Sequence, residues 1–204
     1  MSYLTLLKAQ PGRPIALFAP RRVGKTYFLD KDLTPAAIDK GFFPVYADLW
    51  INRVAPLDAI NQALEESLDD VNVPKTLLGK LGKTTVKKVG ALGAIIELGE
   101  TPARRELPEK PELRMDSLIS RLAADACKPI LLMLDEIQSL GQTSGGEAAI
   151  ATVRAVLQKH KKVLFAVFTG SSQDALGEMM MSAGGAMYQF AQLLTLPSLG
   201  TDYL

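Results

Sequence analysis

Short uninterrupted apolar runs alternate with amphipathic stretches along most of the chain. Apolar runs of strand length are typical of strands buried on both faces of a parallel sheet. Apolar positions three or four residues apart, as at Ile60, Leu64 and Leu68, are typical of helices with one buried face. The predicted strands cover residues 15–18, 42–49, 130–134, 163–168 and 193–196.

Helices are predicted between these strands. One begins at the Gly-Lys-Thr step that ends at Thr26, and a second short helix follows it. For that second helix Thr34 fits an N-cap, Pro35 the first helical position and Gly41 the residue just past the end. Further helices are predicted at about 56–70, 113–126, 147–160 and 176–181. Strands that alternate with helices indicate an α/β fold, a parallel sheet covered on both faces.

The 204 residues are enough for one substantial domain, and we interpret 1–204 as such. Residues 71–110 are the least regular part and are interpreted as an insertion. Its lysines could contact nucleic acid or an acidic partner, but a solvated face is the favoured interpretation. They are Lys75, Lys80, Lys83, Lys87 and Lys88.

Composition narrows the class of protein. The formal net charge is +1, which indicates neither a polyanion nor a membrane as partner. The apolar runs are far shorter than the roughly 18 residues of a membrane helix, and Lys8 and Pro11 interrupt any signal-peptide core. The single cysteine, Cys127, excludes an internal disulfide framework and fits a reducing compartment. A cytoplasmic location is expected.

The segment Ala-Pro-Arg-Arg-Val-Gly-Lys-Thr follows a strand and opens a helix, which is the context of a phosphate-binding loop. Loop N–H groups and the positive end of the helix attract phosphate oxygens. Lys25 supplies a mobile cation, and Thr26 offers its hydroxyl to Mg²⁺. An exposed helix start is the alternative interpretation. The predicted nucleotide-binding residues are Ala19, Pro20, Arg21, Arg22, Val23, Gly24, Lys25, Thr26 and Tyr27.

Ala19 occupies the position of the usual first glycine of such a loop. If that position requires a positive φ, alanine is strained there by roughly 1 kcal/mol or more. If φ is negative, alanine is harmless. We expect slightly weakened rather than abolished binding.

Polar residues follow two of the buried strands. Asp135 and Glu136 end the third strand, at the sheet edge where ligands sit in open α/β folds. Asp135 is predicted to hold Mg²⁺ through a coordinated water, and Glu136 to orient the attacking water; a solvated turn is the alternative. After the fourth strand, Thr169 and Ser171 are predicted to sense the γ-phosphate. Ser171 or Ser172 could instead cap the next helix. The predicted catalytic residues are Glu136, Lys25, Thr169 and Ser171.

Five segments together resemble the prokaryotic P-loop ATPase domains of the AAA+/STAND group, the archaeal-type ATPases, over essentially the whole chain. They are Ala-Pro-Arg-Arg-Val-Gly-Lys-Thr, Val-Tyr-Ala-Asp-Leu, Leu-Asp-Glu-Ile-Gln, Phe-Thr-Gly-Ser-Ser and Leu-Pro-Ser-Leu-Gly-Thr-Asp-Tyr-Leu. The resemblance implies a five-stranded parallel sheet in AAA+ order, and ATP rather than GTP. It also implies that the Asp135 strand lies beside the P-loop strand, with the Thr169 strand on the other side. No Asn-Lys-x-Asp motif for guanine is present.

Two departures from this pattern affect the expected activity. Such ATPases carry a helical lid after the fifth strand, and this sequence stops at Leu204, so a core without the lid is expected. No arginine follows Arg154, and an arginine finger is worth several orders of magnitude in phosphoryl transfer. Slow basal hydrolysis is therefore expected. A finger would come from another subunit, from a partner, or from Arg21 and Arg22, which their position beside the loop disfavours.

The resulting hypothesis is Mg²⁺-dependent ATP binding with slow hydrolysis, coupled to a partner or to nucleic acid. A nucleotide-dependent signalling switch and an interaction platform without hydrolysis are the alternatives. The substitution at Ala19 is the only support for the platform. The expected partners are ATP and a protein partner or a second copy of the chain; net charge does not indicate nucleic acid.

Overall fold

A five-stranded parallel sheet lies at the centre of the part of the chain that this computed structural model describes. The described residues are 3–72, 106–143, 145–181 and 187–196, without the side chains of 173 and 174. The predicted insertion therefore lies mostly outside them. The strands are β1 (Ile15–Phe18), β2 (Phe43–Asp48), β3 (Ile130–Asp135), β4 (Leu164–Gly170) and β5 (Gln192–Thr195).

Helices connect and cover these strands. They are α1 (Tyr3–Ala9), α2 (Lys25–Tyr27), α3 (Thr34–Asp39), α4 (Pro56–Asn72), α5 (Pro111–Ala126), α6 (Gly146–Lys159) and α7 (Gln173–Met181), with a π-helical stretch at Phe28–Leu33 and a 3₁₀ helix at Ile137–Gln142. Most bounds differ from the predicted ones by one to three residues, the usual uncertainty of helix ends. None of the helices in the described ranges is long and apolar enough to cross a membrane.

The order of the strands in the sheet differs from one expectation of the sequence analysis. The order is β2-β3-β4-β1-β5, so β4 separates β1 from β3. The expectation that the Asp135 strand lies directly beside the phosphate-binding strand is wrong. Both β3 and β4 are buried along their whole length, so the hydrophobic pattern could not show which of them pairs with β1. In the observed register Leu17 of β1 lies opposite Thr169 of β4.

The sheet has a hydrophobic core on each face, as predicted. Along β1, Ala16 faces the core formed with α4 to α7, and its neighbours Ile15 and Leu17 face the core formed with α1 and the helical run 25–39. This alternation is the two-residue period of a strand. Continuous apolar runs are required because both faces of the sheet are covered.

A second helix, α3, begins at Thr34 as expected, but the predicted N-cap role of Thr34 is wrong, because its backbone is already helical. One helical run extends from residue 25 to residue 39, through the π-helical stretch. The N–H of Thr34 bonds to the carbonyl of Leu29, and its hydroxyl donates to the same oxygen at 2.7 Å. Pro35 lies in the first turn of α3, where a proline is tolerated. Gly41 follows the helix with φ 81°, as predicted.

Gly146, the first residue of α6, packs directly against the 3₁₀ helix. A Cβ at this position would lie 2.6 Å from the carbonyl oxygen of Leu140. We expect Gly146→Ala to lower the free energy of unfolding by about 2 kcal/mol, because backbone atoms have to move. Urea unfolding measures this, with Gly145→Ala as control, since a Cβ there meets nothing within 4 Å. Equal losses in the two variants would contradict the packing argument.

Asp116 joins α5 to the end of α6. Its carboxylate accepts a hydrogen bond from Lys159 Nζ at 2.6 Å and lies 2.8 Å from His160 Nε2. Burial alone would raise the pKa of Asp116, but the hydrogen bonds and charges of Lys159 and His160 outweigh it and hold the pKa below its ordinary 3.8. A lowered pKa in the folded state means that ionised Asp116 stabilises the fold.

This stabilisation is complete above the unfolded pKa and is lost as the pH falls through the folded value. We therefore expect wild type to exceed Asp116→Asn in urea midpoint at neutral pH, and the gap to close below about pH 4. Asp39→Asn, which removes an exposed carboxyl from α3, serves as control. A gap of constant size across acidic pH would contradict the assignment.

Candidate functional site

The loop between β1 and α2 begins at Ala19, whose N–H donates to the carbonyl of Gly170 at 3.4 Å. Ala19 is fully buried. Positive φ among the described non-glycine residues occurs at Arg22, Cys127, Glu136 and Gln189, so Ala19 has a negative φ. Alanine in place of the usual glycine is therefore unstrained here, the harmless case of the two considered.

Lys25 lies across the loop that precedes it. Its ammonium donates to the carbonyl oxygens of Ala19 and Pro20, both at 3.1 Å, and lies 3.9 Å from a carboxylate oxygen of Glu136. The side chain is 6% exposed. Gly24, just before it, has φ 88°, a left-handed conformation that glycine adopts without strain. The sequence thus holds a cation inside a tight loop.

Asp135, at the end of β3, accepts hydrogen bonds both from the residue that follows the loop and from neighbouring strands of the sheet. One carboxylate oxygen (Oδ2) accepts hydrogen bonds from the hydroxyls of Thr26, at 2.8 Å, and Tyr46, at 3.2 Å. The other (Oδ1) accepts from the hydroxyl of Thr169 and, at 3.0 Å, from the N–H of Glu136. The side chain is 4% exposed. Four donors thus use the hydrogen-bonding capacity of this carboxylate.

Tyr46 belongs to the site although the sequence analysis gave it no role. Burial, and then the charges of Asp135 and Asp48, raise the pKa of Tyr46 well above its ordinary value. The hydroxyl therefore keeps its proton and remains a donor to Asp135. The available signal was a tyrosine two residues before an aspartate in β2, which places both side chains on one face of the strand.

Glu136 begins the turn after β3 in a left-handed conformation, with φ 56°. One of its carboxylate oxygens accepts hydrogen bonds from the Ser171 hydroxyl at 2.7 Å, the Ser171 N–H at 3.3 Å and the side-chain amide of Gln138. Gln138 is the second residue of the site that the sequence analysis missed. The carboxylate is held by the β4–α7 turn.

The other residues after β3 and β4 are placed as follows. Thr169 lies within β4, which runs further than predicted; it is fully buried, and its hydroxyl donates to Asp135. The hydroxyl of Ser172 accepts a hydrogen bond from the N–H of Ala175 at 3.2 Å, so Ser172 is the residue that caps α7. Ser171 contacts Glu136 instead. The γ-phosphate-sensing roles of Thr169 and Ser171 stay predictions.

Lys25, Thr26 and Glu136 line a cavity of about 430 Å³ at the carboxyl edge of the sheet. In the part of the chain that the structure describes, no carboxylate forms an ion pair with Arg21 or Arg22. The lining has three cationic side chains and one carboxylate, so its charge suits a polyanion such as a phosphate chain. It consists of Arg21, Arg22, Gly24, Lys25, Thr26, Tyr27, Trp50 and Glu136.

Solved structures share this architecture. A Walker-type ATPase of Pyrococcus abyssi matches with a TM-score of 0.54 and 17% identity, over 98% of this chain and 53% of that one. The ORC2 protein of Aeropyrum pernix, solved in ADPNP–ADP complexes, matches with a TM-score of 0.56 and 15% identity, over 95% and 44%. Cdc6p from Pyrobaculum aerophilum gives 0.52 and 18%, over 94% and 43%. The fold is that of a P-loop NTPase.

The predicted fold class is thereby confirmed, including the five-stranded parallel sheet with helices on both faces. The chain spans about half the length of the Walker-type ATPase and less than half of the other two proteins. No protein-family model matches the chain, and no curated protein matches it. At these identities the likeness concerns the fold, since one fold hosts many functions.

The P-loop site can also be tested for its fit to Mg²⁺. Among the residues described, no group of three or more His, Cys, Asp or Glu side chains could hold a metal ion. A divalent cation here would therefore take most of its oxygen ligands from water and phosphate, as Mg²⁺ usually does. Thr26 and Asp135 are the protein groups that fit, and the four donors on Asp135 favour contact through a coordinated water.

Proposed function

We propose that this domain binds Mg²⁺–ATP in its P-loop and hydrolyses it slowly. One observation carries the proposal: Lys25, Thr26 and Glu136 line one electropositive cavity, and the hydroxyl of Thr26 is hydrogen-bonded to the carboxylate of Asp135. Each group matches a need of a bound triphosphate, namely charge compensation, a magnesium contact and a base for water.

Each of these residues has its own role in binding the nucleotide and Mg²⁺. The loop N–H groups and Lys25 bind the phosphate oxygens. Thr26 and Asp135 would hold Mg²⁺, which supplies charge neutralisation to the phosphates when bound. Tyr46 and Thr169 orient the Asp135 carboxylate through their hydrogen bonds.

Two observations support slow turnover. One carboxylate oxygen of Glu136 accepts hydrogen bonds from Ser171 and Gln138, and these bonds to the charged form make the carboxylate a weaker base for an attacking water. In addition, no arginine follows Arg154 in the sequence. An arginine from another subunit or a partner would therefore raise the rate.

A nucleotide-dependent switch is the second candidate function, and the engaged Glu136 favours it. A switch of this kind binds tightly, turns over rarely and signals through nearby loops. Exposed apolar side chains in the β2–α4 loop, Ile51 and Val54, support a protein partner or a second copy as the receiver of the signal. The net charge of +1 gives no support for coupling to nucleic acid. A cytoplasmic location accords with the single cysteine.

Calorimetric titration with ATP, ADP and GTP in the presence of Mg²⁺ tests the proposal. We expect heat with ATP and ADP, weaker or no heat with GTP, and a loss of ATP affinity when Mg²⁺ is chelated. Heat with GTP alone, or with none of the three, would overturn it. Steady-state phosphate release, measured in parallel, separates the two functions: binding with turnover near zero rules out the hydrolysis-driven function in favour of the switch.

A further inference from the structure

Two arginine side chains share the indole ring of Trp50 at the mouth of the P-loop cavity. The guanidinium carbon (Cζ) of Arg53 lies 3.2 Å from the ring centroid, and that of Arg21 lies 5.4 Å from it. Both distances fall in the range of cation–π contacts. Within the described ranges, neither guanidinium forms an ion pair with a carboxylate. The indole is the group that orients them.

Trp50 is itself held by the sheet. Its backbone N–H donates to the carboxylate of Asp48 at 2.8 Å. The N–H of its neighbour Leu49, whose side chain is fully buried, donates to the carbonyl of Asp135 at 3.2 Å. The backbone at Trp50 is thus tied to the same end of β3 that carries the acidic residues of the site, and the residue lines the same cavity.

Two guanidinium groups against one ring repel each other, and an anion between or beside them would remove that repulsion. The planar guanidinium of arginine is suited to phosphate because it donates two parallel hydrogen bonds. Arg21 and Lys25 line the same cavity, so both can contact one bound phosphate chain.

We propose that Trp50 is a positioning residue that holds Arg21, with Arg53 beside it, as the receptor for the terminal phosphate of a bound nucleoside triphosphate. This inference rests on the proposed function and adds to it the discrimination of triphosphate from diphosphate. It also gives the chain a cation for the terminal phosphate, although no arginine follows Arg154.

The test compares ATP and ADP affinities, with Mg²⁺, by calorimetry. Arg21→Ala is expected to weaken ATP binding about tenfold, the size of a lost charge-assisted hydrogen bond, and to leave ADP binding within about twofold. Trp50→Leu should show the same selective loss. Trp50→Phe should keep most of the wild-type affinity for ATP, because the phenyl ring still offers an aromatic face. A purely structural role of Trp50 would instead weaken both nucleotides together, and that result would overturn the inference.

Arg13→Ala, which removes an exposed arginine outside the cavity, is the matched control and should leave both affinities unchanged. Thermal unfolding establishes that each variant is folded, and Arg21→Lys, which keeps the charge but loses the planar fork, gives a second loop variant. If wild type binds neither nucleotide, the proposed function fails as well. If it binds both and no variant changes the ATP-to-ADP ratio, the inference alone fails.

Trp50 also provides a direct signal, because it is the only tryptophan in the chain. Transfer of Arg21 from the indole to a phosphate changes the environment of the ring. Intrinsic fluorescence should therefore change more on addition of Mg²⁺–ATP than of Mg²⁺–ADP, and this difference should disappear in Arg21→Ala. Identical fluorescence changes with ATP and ADP in wild type would contradict the inference.

Discussion

Replacement of Lys25 with alanine is expected to weaken the binding of Mg²⁺–ATP about 100-fold. The buried ammonium offers charge-assisted hydrogen bonds to phosphate oxygens, which are worth up to about 3 kcal/mol, or two factors of ten in affinity. No other cation in the described ranges lies inside the loop in this way, since Arg21 and Arg22 are exposed. Calorimetric titration of the variant against wild type measures the change.

Lys31→Ala is the control for Lys25. This lysine lies in the same helical run, is exposed, and pairs at the surface with Asp30 at 2.8 Å. Its removal should not change nucleotide affinity, because surface pairs contribute little. If folded Lys25→Ala bound ATP as well as wild type, the P-loop would not be the nucleotide site. An interaction platform would then be the better description of the domain.

Asp135→Asn is expected to lower the free energy of unfolding by about 3 kcal/mol. Asparagine has the shape of aspartate, but it offers one acceptor oxygen and an amide donor where four donors converge. Either the part-buried hydroxyls of Thr26 and Tyr46 or the buried hydroxyl of Thr169 then loses this acceptor. Chemical unfolding measures the loss of stability.

The same substitution should reduce the dependence of ATP binding on Mg²⁺, because the remaining protein group at that position is the hydroxyl of Thr26. Titrations with Mg²⁺ and with a chelator give this dependence. Asp70→Asn, at an exposed position on α4, is the control for both measurements. Wild-type stability together with wild-type Mg²⁺ dependence in Asp135→Asn would contradict the central position of this carboxylate.

The sequence predicted the five strands and most of the helices, because their apolar residues recur with the period of a strand or a helix, but it did not predict α1 or the 3₁₀ helix. β1 has the predicted bounds, and the other strands differ by one or two residues. Strand order was not accessible in this way, since β3 and β4 are equally apolar. The N-cap role predicted for Thr34 was wrong for a related reason. A threonine hydroxyl can cap a helix or bond back to a preceding carbonyl, and the residue type does not show which of the two occurs.

The candidate site was predictable to the extent that its residues are close in sequence to strand ends. Lys25, Thr26, Asp135 and Glu136 meet as expected because parallel strands bring their carboxyl ends to one edge. Tyr46 and Gln138 reach the site through side-chain contacts between elements, which no local pattern encodes. The contact between Trp50 and Arg21 is of the same kind, because 29 positions of sequence separate the two residues.

β2 lies at the edge of the sheet, so the residues of the site on β2 and just after it should lose their contacts by local opening more often than those on β1 and β4. β1 and β4, which carry the loop and Thr169, have a strand on either side, whereas β2 pairs with β3 alone in the described ranges. Amide hydrogen exchange should be slower in β1 and β4 than in β2, since rim strands open by local fluctuations. A brief detachment of β2 would withdraw the Tyr46 hydroxyl and the Trp50 ring together while the loop around Lys25 stays folded.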